Sequence, residues 1–279
     1  MTLNKYRTLF LRRHIAIPQD HGSWVFVLSP LIIGLFAGEN FSISSLLLVV
    51  SVMMAFLIRQ PITIAVKIFS GRRPRRELNS AIFWVSIYCL IGMLALTGLI
   101  LQGFGYLLYL VVPGVVVFTW HLYLVSRRAE RNQPGIEIVA SGVLALSAPA
   151  AMWVGLGYPN VEGWLLFVLL WLQSAGSIVY AYLRLEQRKL TDHPAIRARL
   201  KMGSRALIYN SFNLILVLGL SFATITPKWL PVAYSVQWIE TFWGSMVKPA
   251  VGEKPTRIGI RQLFVSILFT IVFIIALYL

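Results

Sequence analysis

Nine stretches of this chain read as membrane-spanning helices, near residues 23–38, 43–66, 80–101, 105–125, 136–155, 162–183, 206–225, 229–246 and 259–279. A helix rises about 1.5 Å per residue, so crossing a hydrocarbon layer of about 30 Å takes about 20 mostly apolar residues. Water is absent from that layer, so each stretch must satisfy its backbone internally, as a helix. This pattern sets the class: all-α, a polytopic bundle of nine transmembrane helices over residues 23–279, behind a short segment of residues 1–22. The first stretch is short and holds Pro30; the eighth is the least apolar, holding Gln237 and Glu240. Charged residues are only 13% of the 279, against 58% hydrophobic, which excludes a disordered chain and an ordinary soluble enzyme. The one cysteine, Cys89, excludes a disulfide framework and a Cys-based zinc site.

The net charge of +15 would suggest nucleic acid in a soluble protein, but its placement says otherwise. Of the 25 Lys and Arg, 23 lie in or beside the N-terminal segment and the loops near 67–79, 126–135, 184–205 and 247–258. The alternate loops hold only Lys228, and Arg59 lies within a span. Basic residues collect on the cytoplasmic side. The expectation is a plasma (inner) membrane protein with its N-terminus in the cytoplasm, its C-terminus outside, membrane lipids as partners and no nucleic acid. Residues 1–22 hold Lys5, Arg7, Arg12 and Arg13 and no apolar run longer than three, so no signal peptide is expected. A short basic helix on the membrane is one reading of that stretch. In the 184–205 loop, Thr191-Asp192-His193-Pro194 reads as a helix start. An interfacial helix follows from it, with Ile196 and Leu200 on one side and Arg197, Arg199 and Lys201 toward headgroups or a ligand.

Charges at membrane depth cost about 2.5–3.5 kcal/mol each on insertion scales and mark function by default. In the expected topology the unusual polar residues fall at one level, toward the cytoplasm. Arg59, Thr63 and Lys67 are four apart and share one helix face. Gln173, Ser177, Tyr180, Arg184 and Arg188 run down another face in steps of four and three. Asp20, His21, Glu137, Asn210, Asn213 and Glu240 stand at the same level. Two such stripes facing each other would line a basic cavity between the first, second, sixth and seventh stretches. Snorkelling to headgroups also accounts for Lys67, Arg184 and Arg188. Pro61, after Arg59-Gln60, removes a backbone donor, a defect tolerated where helices line a cavity. The histidines are too scattered for a metal site, and no phosphate-binding loop, serine-hydrolase elbow or zinc-protease motif is present.

The stretch Ile17-Pro18-Gln19-Asp20-His21-Gly22-Ser23-Trp24, leading into a span with Pro30 and Gly34, resembles the opening of YwiC-like membrane proteins, and Arg59-Gln60-Pro61 fits as well. Those proteins in turn resemble the UbiA superfamily of intramembrane prenyltransferases, which shares the nine-span layout and the two loops after the second and sixth spans. The departures carry the chemistry. UbiA-type enzymes have an Asn-Asp-x-x-Asp-x-x-x-Asp pattern at the end of the second span; here those positions read Arg59, Gln60, Thr63 and Lys67, with Arg73-Pro74 kept. In the second pattern Tyr180-Ala181 remain, while the aspartate positions read Arg184 and Arg188. The family's aspartates hold Mg²⁺ on a diphosphate. Arg and Lys bind an anion directly instead.

The resemblance and the residues together imply a UbiA-like bundle that binds an amphiphilic anion, such as an isoprenoid phosphate, a quinone precursor or a lipid headgroup, with no metal and no cofactor. The binding candidates are Arg59, Gln60, Thr63, Lys67, Tyr180, Arg184, Arg188 and Asn213, with His21 and Glu240 as candidate acid–base groups. A magnesium-dependent prenyltransferase is disfavoured by the missing aspartates. Two other readings stay open: a metal-independent prenyl or related group transferase, and a transporter or membrane assembly factor. The outer halves of the spans lack polar residues, which weighs against transport.

Overall fold

The computed structural model describes residues 12–18, 21–129 and 133–279, with the backbone alone for His21. Helices form at every one of the nine apolar stretches. After one turn, α1 (Arg13–Ala16), come α2 (His21–Ala37), α3 (Ile43–Phe69), α4 (Leu78–Leu101), α5 (Leu108–Ser126), α6 (Pro134–Ala145), α7 (Ser147–Leu156), α8 (Val161–Gln187), α9 (Ile196–Phe222), α10 (Leu230–Phe242) and α11 (Pro255–Leu277). With α6 and α7 taken as one, seven spans of 22–27 residues are long and apolar enough to cross a membrane. The nine-span reading needs two more. α2 has 17 residues and α10 has 13, both short of the about 20 a full crossing takes. A five-residue π-helical turn, Trp243–Val247, extends α10.

Local chemistry explains the boundaries. Asn160 caps α8, its Oδ1 accepting from Gly163 N at 3.0 Å. Ser42 and Ser45 form a reciprocal capping box at the start of α3. The fifth stretch breaks at Leu146 because Pro149 has no N–H for the Ala145 carbonyl and its ring crowds that oxygen. The separate interfacial helix expected near 194–205 does not form. Residues 196–205 are instead the first turns of α9. Arg199 ties that start in place, donating from Nε to Pro194 O at 2.7 Å and from Nη1 to Met246 O at 2.9 Å. Of the basic N-terminal helix, residues 1–11 lie outside the described residues. Its described end, α1, buries Ile15 against Ile64, Ile68 and Ala81, and Ala16 O accepts from the Tyr88 hydroxyl at 2.9 Å.

The centre of the bundle is the α6–α7 span and α8, whose apolar windows are 67% and 61% buried, against 11% for the span of α5. α2 packs on α7 almost backbone to backbone. A Cβ on Gly34 would overlap the Ala148 carbonyl, and one on Gly155 would meet the backbone of Gly38. Gly34 and Gly38 form the small-xxx-small spacing that lets membrane helices approach closely. α11 closes the ring against α2 and α10. There Phe269 and Phe273 join Ile33, Met152, Leu170 and Tyr234 in one core. Leu101, Tyr109, Val161 and Phe222 stay exposed on the outside, as side chains that meet lipid do.

Candidate functional site

The polar face of α8 is buried as a stripe, with Gln173, Ser177, Tyr180 and Arg184 all inside. Two partners that the sequence places far away complete it. The Tyr180 hydroxyl donates to Glu240 Oε1 at 2.9 Å. Arg261 of α11 grips the same carboxylate with both prongs, Nη2 to Oε2 and Nε to Oε1, each at 2.7 Å. One turn along, Arg184 Nη1 lies 2.7 Å from Lys248 O, 2.8 Å from Gly244 O and 3.0 Å from Gln187 Oε1. Those two carbonyls belong to the π-helical turn and the residue after it, where the end of α10 leaves acceptors without helical donors. Gly244 is needed there, because a Cβ would overlap the Tyr180 hydroxyl. Asn210 and Asn213 stitch α9 to α8, donating to Gly176 O at 3.3 Å and Leu172 O at 2.8 Å. Tyr180, Arg184, Asn213 and Glu240 thus gather around α8, but the protein itself engages the Tyr180 hydroxyl, Arg184 Nη1 and Asn213 Nδ2, and Glu240 is held by Tyr180 and Arg261. The Arg188 guanidinium makes no hydrogen bond or ion pair among the described residues.

The candidates on α3 are held by different neighbours. The Arg59 guanidinium lies over the Phe56 ring at 5.1 Å, and Phe56 meets Trp24 of α2 edge-on at 5.0 Å. Thr63 donates to Arg59 O at 2.7 Å, and Gln60 Nε2 donates to His14 O at 3.2 Å, joining α3 to α1. Lys67 is half-buried at the last turn of α3. The side chain of His21, with Gln19 and Asp20, lies outside the described residues.

A groove of about 870 Å³ opens elsewhere, between α6, α8 and α9 at the end that carries the basic loops. Ile138, Val179, Leu183, Met202 and Ala206 supply apolar walls. Lys201 and Arg205, one turn apart on α9, and Glu186 on α8 bring charge to it. None of these three side chains is ion-paired among the described residues. On the groove wall, Tyr182 donates to Glu137 Oε1 at 2.7 Å. Sequence reasoning put Lys201 on an interfacial helix, toward headgroups or a ligand, and left Arg205 among the loop charges of a positive-inside count. The signal that finds them is their i, i+4 spacing beside Met202 and Ala206.

A magnesium cage of the UbiA type does not fit these residues. Mg²⁺ requires oxygen ligands. The positions of the family's aspartates hold Gln60, Thr63, Lys67, Arg184 and Arg188, three of them cations, and Arg59 stands at the neighbouring asparagine position. The nearby carboxylate, Glu240, is neutralised by Arg261. Among the described residues no three His, Cys, Asp or Glu side chains stand together to hold a metal ion.

Comparison with known proteins agrees with the geometry. The family model described as YwiC-like protein matches residues 17–152, the part from the opening motif through α7. A solved structure of digeranylgeranylglyceryl phosphate synthase in membranes, a UbiA-type prenyltransferase, superposes with a TM-score of 0.55 at 16% identity, covering 99% of each chain. At that identity the likeness is one of fold. No curated protein matches in sequence. The expected resemblance to YwiC-like proteins is supported over residues 17–152, just under half of the chain, and the UbiA-like helical fold over nearly its whole length.

Proposed function

We propose that this YwiC-like membrane protein of UbiA-like fold binds an amphiphilic anion at its basic, cytoplasmic end, without a magnesium–carboxylate cage. The ligand class is an isoprenoid phosphate, a quinone precursor or a lipid headgroup. The observation that carries the reading is the groove between α6, α8 and α9, which joins apolar walls to two unpaired cations, Lys201 and Arg205. An amphiphile asks for that combination: chain against Ile138, Val179 and Met202, charge against the α9 cations. Arg205 offers phosphate a two-pronged donor, and Lys201 adds a point charge. Tyr180, Arg184, Asn213 and Glu240 serve this site by fixing α8 against α9, α10 and α11. The fold neighbour's own name contains a phosphate-bearing isoprenoid, which favours the same ligand class.

The test is binding of a defined isoprenyl monophosphate to the purified full chain in mild detergent, with and without EDTA. Binding should survive chelation and fall at least about tenfold when Lys201 and Arg205 are both replaced by Ala, the scale of one lost charge-assisted hydrogen bond. Binding that needs Mg²⁺, or that ignores both cations, refutes the reading.

A second reading keeps the anion inside the bundle, held by Arg59, Lys67 and Arg188 with Gln60 and Thr63 beside them. The unpartnered guanidinium of Arg188 favours it. Arg59→Ala and Arg188→Ala would then remove binding that Arg205→Ala leaves intact. A metal-independent group transfer at this interior site would draw its acid from His21.

A further inference from the structure

The lining of the groove contains one acidic residue, Glu186, and it faces the same opening as Lys201 and Arg205. Glu186 sits on the last turn of α8 and the cations on the second and third turns of α9, so opposite charges lie on the two walls. They are not within 4.0 Å of one another, the distance that defines an ion pair here. Glu137 is not part of the lining; its Oε1 accepts from Tyr182, which is, at 2.7 Å, so Glu186 is the carboxylate on the groove wall itself. A site built for a bare anion gains nothing from a carboxylate on its wall, since that charge repels the ligand. Opposite charges held apart across an apolar-walled opening complement a ligand that is itself bipolar.

From the charges of this groove, and resting on the reading that an amphiphile occupies it, we infer that it selects a membrane phospholipid bearing both a phosphate and a primary ammonium, an ethanolamine headgroup. Arg205 and Lys201 hold the phosphate, and Glu186 accepts hydrogen bonds from the ammonium. The acyl chains run along Ile138 and Val179. A primary ammonium presents three N–H donors to a carboxylate. A quaternary choline ammonium presents none, so it takes no hydrogen bond from Glu186 and is left with the rings of Tyr182 and Tyr209 in the lining. An anionic glycerol headgroup meets the cations but leaves Glu186 repelled. The volume of about 870 Å³ is that of a groove accommodating a headgroup and the first part of its chains.

The experiment is native mass spectrometry of the full chain reconstituted in nanodiscs containing ethanolamine, glycerol and choline phospholipids of identical chains in equal amounts. The wild type should retain the ethanolamine lipid about tenfold over either other, the scale of one charge-assisted hydrogen bond. Glu186→Gln should bring ethanolamine and glycerol lipids to parity. Lys201→Ala combined with Arg205→Ala should lose both. Lys189→Ala, in the turn after α8, should change nothing. All these side chains are exposed, and unchanged thermal unfolding of each variant confirms that the fold is intact. Equal retention of the three lipids by the wild type, or a preference that Glu186→Gln leaves untouched, overturns the inference. If the ethanolamine preference is absent while glycerol lipid or isoprenyl monophosphate still binds through Lys201 and Arg205, only the headgroup assignment falls. If the α9 cations matter to no amphiphile, the wider reading falls with it.

Discussion

Replacing Arg184 separates a ligand-binding arginine from a structural one. Its side chain is 2% exposed, and Nη1 serves Gly244 O, Lys248 O and Gln187 Oε1. Gln187 Oε1 keeps a second donor, Ala250 N at 3.1 Å. Arg184→Ala therefore strands the buried Gly244 carbonyl, while the Lys248 carbonyl, on an exposed residue, can turn to water. A stranded buried acceptor costs about 1–3 kcal/mol, so the loss is about 1–3 kcal/mol before any cavity term. That is a sizeable part of the about 5–15 kcal/mol that holds a typical protein folded. At about 2–4 °C per kcal/mol for a chain of this size, Tm in mild detergent should fall by about 2–12 °C, with a lower folded yield on gel filtration. Arg184→Met restores volume without donors and should fall nearly as far. Arg184→Lys keeps one point donor and should lie between. If Arg184→Ala unfolds at the wild-type temperature yet loses an amphiphile the wild type binds, the structural role argued here is wrong, and Arg184 belongs to the ligand.

The Glu240 clamp should behave as a coupled unit. Tyr180→Phe should cost about 1 kcal/mol in thermal or denaturant unfolding, and Glu240→Gln more, about 1–3 kcal/mol with the half-exposed Arg261 partly rescued by solvent. The double variant should fall short of the sum, and strict additivity would mean that Tyr180 and Glu240 act independently. Gly34→Leu should abolish folded yield or cost at least about 1–3 kcal/mol, because its side chain enters the Ala148 carbonyl; wild-type stability would show that α2 and α7 do not approach so closely. Amphiphile binding should be indifferent to EDTA, since no carboxylate set among the described residues could hold a divalent ion; restoration of lost binding by added Mg²⁺ contradicts that. A reporter fused after Leu279 should be active outside the cytoplasm if α2 and α10 both cross; a cytoplasmic signal would make the short α10 the first suspect.

The interior candidates show where sequence reasoning about a site reaches its limit. Spacing correctly put Tyr180 and Arg184 on one face of α8, because a helix carries its own geometry. It had no means of placing Arg261, 21 residues beyond Glu240 and on another helix, against that carboxylate. Nor did it show that Arg184 spends its donors on the carbonyls of a π-helical turn, since that turn is local to α10 and the arginine is on α8. The groove charges were visible as letters and invisible as a site. Lys201 and Arg205 lie on the opening turns of α9, where sequence reasoning put the first on an interfacial helix and counted the second among loop charges.

By itself the sequence determined the class, the nine helical stretches, the basic end and the loss of a metal-binding aspartate set. Each of these is a property of single segments: apolar length, charge placement and the identity of side chains at given spacings. Hydrocarbon permits few backbone solutions, so apolar length alone carries a segment to a helix. Only the tertiary structure decided which helices lie at the centre, that α9 begins early enough to carry its cations onto a groove wall, and that Arg184 closes the end of α10. These are relations between segments remote in the chain. They are set by which surfaces fit closely, as Gly34 fits against Ala148, and a side chain's list of available donors does not say which acceptor the packing will bring to it.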